Sequence, residues 1–162
     1  RNKTVTVTIN GTDLQAATGV TVSGSGVTVT GFTVLSDTQV QASFVISGTA
    51  AIGTRTVTVQ TPSGNPTTQF SVLGPVLNTI SPTSGTHGTT VPVSLAGTNL
   101  TGTTSINVAG LGITVTSLNV VSDTQVTANF VIASSASLTT RNVSVTTAAG
   151  TSNNVPGGFT VH

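Results

Sequence analysis

The sequence is poor in the residue types on which most site chemistry depends. Its 162 residues include no Cys, Trp or Tyr, and only seven are charged, four Lys or Arg and three Asp. An ordinary domain carries about 25 % charged residues. The absence of Cys excludes disulfides and thiol nucleophiles, and three carboxylates with two distant histidines, His87 and His162, supply few acid–base or metal ligands. We therefore expect no enzyme, no cofactor and no metal site.

Two further shortages restrict the possible partners. Four scattered cations form no basic patch, so nucleic-acid binding is not expected. No apolar run approaches the roughly 20 residues that a membrane-spanning helix needs, so membrane insertion is not expected either. The chain is predicted to meet its partners through uncharged surfaces.

The residues that are abundant favour strands and turns. The chain has 36 Thr, 25 Val, 18 Ser and 18 Gly. Val or Ile alternates with Thr or Ser in residues 5–9, 27–30, 57–59 and 143–145, which is the period of a half-buried strand. Turn residues separate these segments every 8–12 residues, a spacing that predicts a sandwich of about seven short antiparallel strands. The five Phe are assigned to the core: Phe32, Phe44, Phe70, Phe130 and Phe159.

An internal duplication organises the chain. Residues 4–64 align with 90–150 at an offset of 86 without a gap, and 30 of the 61 pairs are identical. After residue 152 the second copy gains three residues, which places Phe70 opposite Phe159. A period near 86 suits one small sandwich domain, so we predict two tandem domains, 1–73 and 74–162, joined by a short Gly-Pro link at Gly74 and Pro75.

The opening segment of the second copy, residues 75–88, has no counterpart in the first, because residue 1 aligns with His87. The first domain is therefore expected to lack its opening strand within this sequence. Two explanations stay open: the chain is a segment of a longer array, or another chain supplies the strand by β-addition. The candidates for strand complementation are Val76, Leu77 and Ile80.

Six segments of the second copy form a recognisable set: Ile80-Ser81-Pro82-Thr83-Ser84-Gly85, Gly88-Thr89-Thr90-Val91, Leu95-Ala96-Gly97-Thr98-Asn99-Leu100, Ser122-Asp123-Thr124-Gln125-Val126, residues 143–152 and Phe159-Thr160-Val161. Together they resemble the IPT/TIG family, the immunoglobulin-like domains of plexins and Rel-type transcription factors. The first copy matches from Thr4 onward. One departure is Leu100, where the family often has Phe. The resemblance implies immunoglobulin-like sandwiches and a bacterial secreted or cell-surface setting.

A charged pair recurs in both copies. Asp37 and Arg55 lie 18 residues apart, and Asp123 and Arg141 repeat that spacing. We predict one structural role for both pairs, in which Asp caps a turn and Arg reaches back to loop carbonyl groups. A contact between subunits is the alternative role.

The surface composition indicates how the protein acts. A nearly uncharged, hydroxyl-rich surface has little repulsion to keep copies apart, and few edge strands carry a protecting Lys. We predict a non-catalytic extracellular structural module of a cell-surface or fibre-forming repeat protein. It would act through domain stacking, β-strand addition and lateral self-association with copies of itself or neighbouring repeats. The alternative is an adhesin or carbohydrate-binding accessory domain for surface glycans, although the loops lack the Trp, Tyr or acidic clusters typical of such sites.

Overall fold

A computed structural model describes residues 3–162, and every regular element in that range is a β-strand. The predicted all-β class is confirmed. The chain divides into two compact units, of which the first ends at Leu73 and the second comprises Gly74–His162.

The first unit has six described strands in two antiparallel sheets. One sheet has the order β1-β4-β3 and the other β2-β5-β6. The strands are β1 (Lys3–Asn10), β2 (Gly19–Val22), β3 (Val27–Ser36), β4 (Gln39–Ile46), β5 (Gly53–Gln60) and β6 (Thr67–Val72).

The second unit has nine strands, also in two sheets. One sheet has the order β11-β12-β9-β7, and the other has the order β10-β13-β15-β8 with β14 on β13. The strands are β7 (Val76–Ser81), β8 (Ser84–Gly85), β9 (Thr90–Thr98), β10 (Thr103–Val108), β11 (Ile113–Ser122), β12 (Gln125–Ile132), β13 (Thr140–Thr147), β14 (Gly150–Thr151) and β15 (Val155–Val161).

One ladder departs from the expected antiparallel arrangement. The short strand β8 pairs in parallel with the last strand, Ser84 opposite Thr160 and Gly85 opposite Val161. The cause is that the opening segment changes sheets. It leaves β9 after β7 and continues beside β15 in the same direction.

The two units repeat the same local irregularities as well as the same strands. The bounds of β11 and β12 equal those of β3 and β4 shifted by 86 residues. The β3–β4 ladder shifts register between Val34 and Ser36, and the β11–β12 ladder shifts at the matching place, between Val120 and Ser122. The bulge is therefore a property of the repeat.

Each core is built from the inward-facing side chains, which occur at every second residue along a strand. On β4 the buried positions are Val40, Ala42, Phe44 and Ile46, and their counterparts on β12 are buried too. The rings of Phe44 and Phe70 pack edge to face at 5.2 Å, and those of Phe130 and Phe159 at 5.1 Å. Such pairs stabilise a sandwich beyond the area they bury.

The assignment of Phe32 to the core is wrong. Its side chain is 37 % exposed. Phe32 lies on β3, an edge strand of a three-stranded sheet, so a neighbouring strand covers it on one side only. Alternation in the sequence identifies the inward face but does not tell how well that face is covered.

Candidate functional site

The two aspartates of the recurring pairs hold a loop against a hairpin turn. In the first unit the Leu14 N–H donates to the Asp37 carbonyl oxygen at 2.8 Å. In the second, the Leu100 N–H donates to the Asp123 carbonyl oxygen at 2.9 Å, and the Thr101 hydroxyl donates to Asp123 Oδ1 at 2.9 Å. Because both leucines are fully buried, these bonds fix the loop after β1 or β9 over the core.

The two arginines hold other loops. Arg55 Nη2 donates to the Ala51 carbonyl oxygen at 2.7 Å. Arg141 is only 5 % exposed, and it donates from Nη1 to Ala109 O at 3.1 Å and from Nη2 to Ser137 O at 3.2 Å. A guanidinium suits this task because its planar fork presents several donors at once. The Arg and Asp of each pair thus bind different loops.

A glycine beside each arginine escaped the sequence reasoning. Gly24 and Gly110 occupy matching positions and both have a positive φ, 77° and 82°. A Cβ on Gly110 would collide with Arg141 Nη1, and one on Gly24 would lie 3.2 Å from Arg55 Nε. The signal was available, because the repeat alignment pairs these two glycines.

The predicted complementation residues lie in β7 of the second unit. Leu77 and Ile80 are buried in its core, whereas Val76 is 42 % exposed. The Leu77 N–H donates to Asn153 Oδ1 at 2.9 Å, and Asn153 Nδ2 donates to Leu77 O at 2.8 Å. The Asn153 amide therefore bonds the outer backbone of β7 as a neighbouring strand would. Its role has no sequence signal, because Asn153 falls where the copies lose their common register.

Among its described residues, the first unit has no strand that covers the edge matching the one covered by β7. β1 pairs with β4, and no strand within residues 3–162 pairs with its other side. We call that side the β1 edge. A small cleft lies at its end, lined among others by Ile9, Gly11, Leu14, Val59 and Pro66. An exposed backbone edge beside an apolar cleft is the usual geometry for accepting an extended peptide.

A shallow groove crosses the outer face of the β11-β12-β9-β7 sheet. Its volume is about 400 Å³, and its lining includes Ser81, Pro92, Ser94, Ser117, Thr127 and Asn129. Hydroxyl and amide groups stand beside a proline ring there, and none of these lining side chains is charged. Such a groove offers hydrogen bonds to uncharged polar ligands. We call it the outer groove.

The two histidines are far apart in sequence, but a backbone hydrogen bond joins them. The His87 N–H donates to the His162 carbonyl oxygen at 2.9 Å. Within residues 3–162, no three His, Cys, Asp or Glu side chains come together in a way that could hold a metal ion. The same range contains no helix long and apolar enough to cross a membrane.

Comparisons with known proteins identify the fold. No family model matches the sequence, and a search of curated proteins returns no match. A structure with a xylogluco-oligosaccharide is similar at a TM-score of 0.51 and 19 % identity, covering 93 % of this chain and 35 % of that one. SGBP-B of the Bacteroides ovatus mixed-linkage glucan utilization locus, in complex with a heptasaccharide, is similar at a TM-score of 0.40 and 19 % identity. The match covers 99 % of this chain and 41 % of that one.

Tandem immunoglobulin domains of titin are similar at a TM-score of 0.33 and 10 % identity, covering 99 % of this chain and 89 % of that one. The predicted immunoglobulin-like class is confirmed. At these identities the likeness concerns the fold alone. The chain also spans less than half of each of the two carbohydrate-bound proteins.

Proposed function

We propose that this chain is a non-catalytic structural module of a bacterial extracellular repeat protein, built from two domains of the IPT/TIG type. The observation that carries the proposal is the use of the charged side chains. The side chains of Asp37, Arg55, Asp123 and Arg141 all bind loops of their own unit, that of Asp37 by accepting from the Gln15 N–H at 3.4 Å. Charged side chains are the groups that carry out reactions in many other proteins. In this chain these four side chains hold loops in place instead.

We infer self-association from the uncharged hydroxyl and apolar groups that make up the surface. With so few charges, electrostatic repulsion between copies is weak, and contact depends on hydroxyl and apolar groups. Leu111 is 90 % exposed and Leu138 is 67 % exposed. Each lies one or two residues from a loop carbonyl or glycine that contacts Arg141. The arginine therefore presents two leucines on fixed loops, and these loops are the proposed lateral contact.

Sedimentation velocity over a wide concentration range tests this function. We expect the wild-type chain to associate and the double variant Leu111→Ser/Leu138→Ser to associate more weakly. Val121→Thr is the matched control, because Val121 is 52 % exposed in the same unit but lies on β11. A chain that stays monomeric at millimolar concentration and shows no order in electron micrographs would contradict the structural proposal.

Neutral glycans are the second candidate ligand, and the outer groove favours them. Sugar hydroxyls match the hydroxyl and amide lining, and no charge has to be compensated. Oligosaccharides are also the ligands in two of the similar structures. A glycan array followed by calorimetry would test the role, with Asn129→Ala expected to abolish any binding. Ser43→Ala, the counterpart in the first unit, is the control, and equal effects of both variants would exclude the outer groove.

A further inference from the structure

The second unit shows how this repeat closes its first sheet. β7 runs antiparallel to β9, with Leu77 opposite Gly97 and Ile80 opposite Leu95. The approach at Gly97 is very close, since a Cβ there would collide with the carbonyl oxygen of Val76. Glycine at this position is therefore required by the strand that lies against it.

The first unit has the same acceptor without its strand. The repeat offset of 86 aligns Gly11 with Gly97 and Ile9 with Leu95. Gly11 has no positive φ, and a Cβ on it would meet only the flexible Leu14 side chain, at 3.2 Å. Nothing in the described part of the first unit requires glycine at position 11. Glycine would be required at position 11 only if a strand lay against the β1 edge as closely as β7 lies against β9.

We propose that the β1 edge and its cleft bind an extended strand with the sequence pattern of β7, carried by a polypeptide segment outside residues 3–162. The strand runs antiparallel to β1, with a leucine opposite Gly11 and an isoleucine opposite Ile9. The leucine fills the cleft lined by Leu14, Val59 and Pro66. This inference rests on the proposed structural role and names the partner of one surface.

The part of β1 that would receive the strand is uncharged. Lys3, the one charged residue of β1, lies opposite Ile46 at the start of the strand, far from Gly11, which follows its other end. The segment of β7 and its flanks, residues 75–86, contains no charged residue. Backbone hydrogen bonds along the edge would supply affinity, and the two apolar side chains would supply specificity.

Fluorescence anisotropy with a labelled synthetic peptide of residues 75–86 tests the proposal on the full chain. We expect saturable binding that is lost when the peptide carries Leu77→Asp and Ile80→Asp. In the chain, Gly11→Val is expected to raise the Kd by about tenfold or more, since its side chain occupies the place of the docked backbone. The matched control is Gly31→Ala on β3, where a Cβ has nothing within 4 Å. Equal circular-dichroism melting curves would show that both variants fold.

Three outcomes would overturn the inference. They are no binding at millimolar peptide, binding that survives Gly11→Val, and loss of chain self-association with Gly11→Val in the absence of any peptide binding. The second would mean that the peptide displaces β7 in the second unit, and the third that a second copy occupies the edge. Failure here is separable from failure of the structural role, because sedimentation of the Leu111→Ser/Leu138→Ser variant is measured without peptide.

Discussion

Replacing Arg141 by alanine should destabilise the second unit far more than replacing Arg55 destabilises the first. The two residues occupy matching repeat positions, so each is a control for the other. Arg141 is buried and donates to two carbonyl groups, whereas Arg55 is half-buried and donates to one. The comparison therefore isolates the contribution of the second loop contact and of burial.

The magnitude follows from those contacts. A hydrogen bond from a charged group contributes about 1.5–3 kcal/mol, which gives Arg141 about 3–6 kcal/mol before any cost. The Nε of each arginine is buried without a partner, and desolvating that group offsets part of the gain in both units. We therefore expect Arg141→Ala to lower the free energy of unfolding by about 3 kcal/mol and Arg55→Ala by about 1 kcal/mol. For a domain of this size, 3 kcal/mol corresponds to a fall in Tm of about 12–24 °C.

The assay must resolve the two units. The chain has no Trp or Tyr, so intrinsic fluorescence reports little. Far-ultraviolet circular dichroism gives the overall transition, and hydrogen exchange read by mass spectrometry on peptides assigns it to a unit. Arg141→Lys serves as a second variant. It keeps the charge, but lysine cannot span two carbonyl groups, so it should recover less than half of the loss.

Two results would refute this reasoning. If Arg141→Ala and Arg55→Ala lower stability equally, the second loop contact contributes nothing. If Arg141→Ala leaves melting unchanged but abolishes self-association, the arginine acts between subunits, and its intramolecular contacts are incidental.

Three other variants test single contacts. Gly97→Ala should destabilise the second unit severely, because the new Cβ collides with the backbone of β7, while Gly31→Ala changes the urea midpoint little. Asn153→Ala should raise exchange at the Leu77 amide and cost about 1–3 kcal/mol, since two hydrogen bonds to β7 are lost; uniform exchange across the unit would contradict it. Asp123→Ala should cost about 1 kcal/mol in urea unfolding, because only the two side-chain bonds to Thr101 disappear, of which the one from the amide is long; an unchanged midpoint would mean that these bonds contribute nothing.

Part of the candidate site was within reach of the sequence. The recurrence of Asp and Arg at one spacing pointed to a structural role, and the repeat alignment paired Gly11 with Gly97. What the alignment did not contain was the neighbour of each residue. Asn153 lies within the three-residue shift between the copies, and its bonds to Leu77 span 76 positions. Contacts of that separation leave no local pattern.

The sequence by itself determined the strands, their inward faces and the duplication, because each is encoded at short range or by direct repetition. Val alternating with Thr can bury only one face, and two similar copies adopt the same ladders with the same bulge. Tertiary structure alone decided how the edges are covered. Phe32 is exposed at one edge, β8 joins β15 in parallel, and Asn153 binds the outer backbone of β7, whereas the open β1 edge was already expected from the repeat alignment. Coverage depends on which distant segment returns to each edge, and the period of a strand carries no information about that.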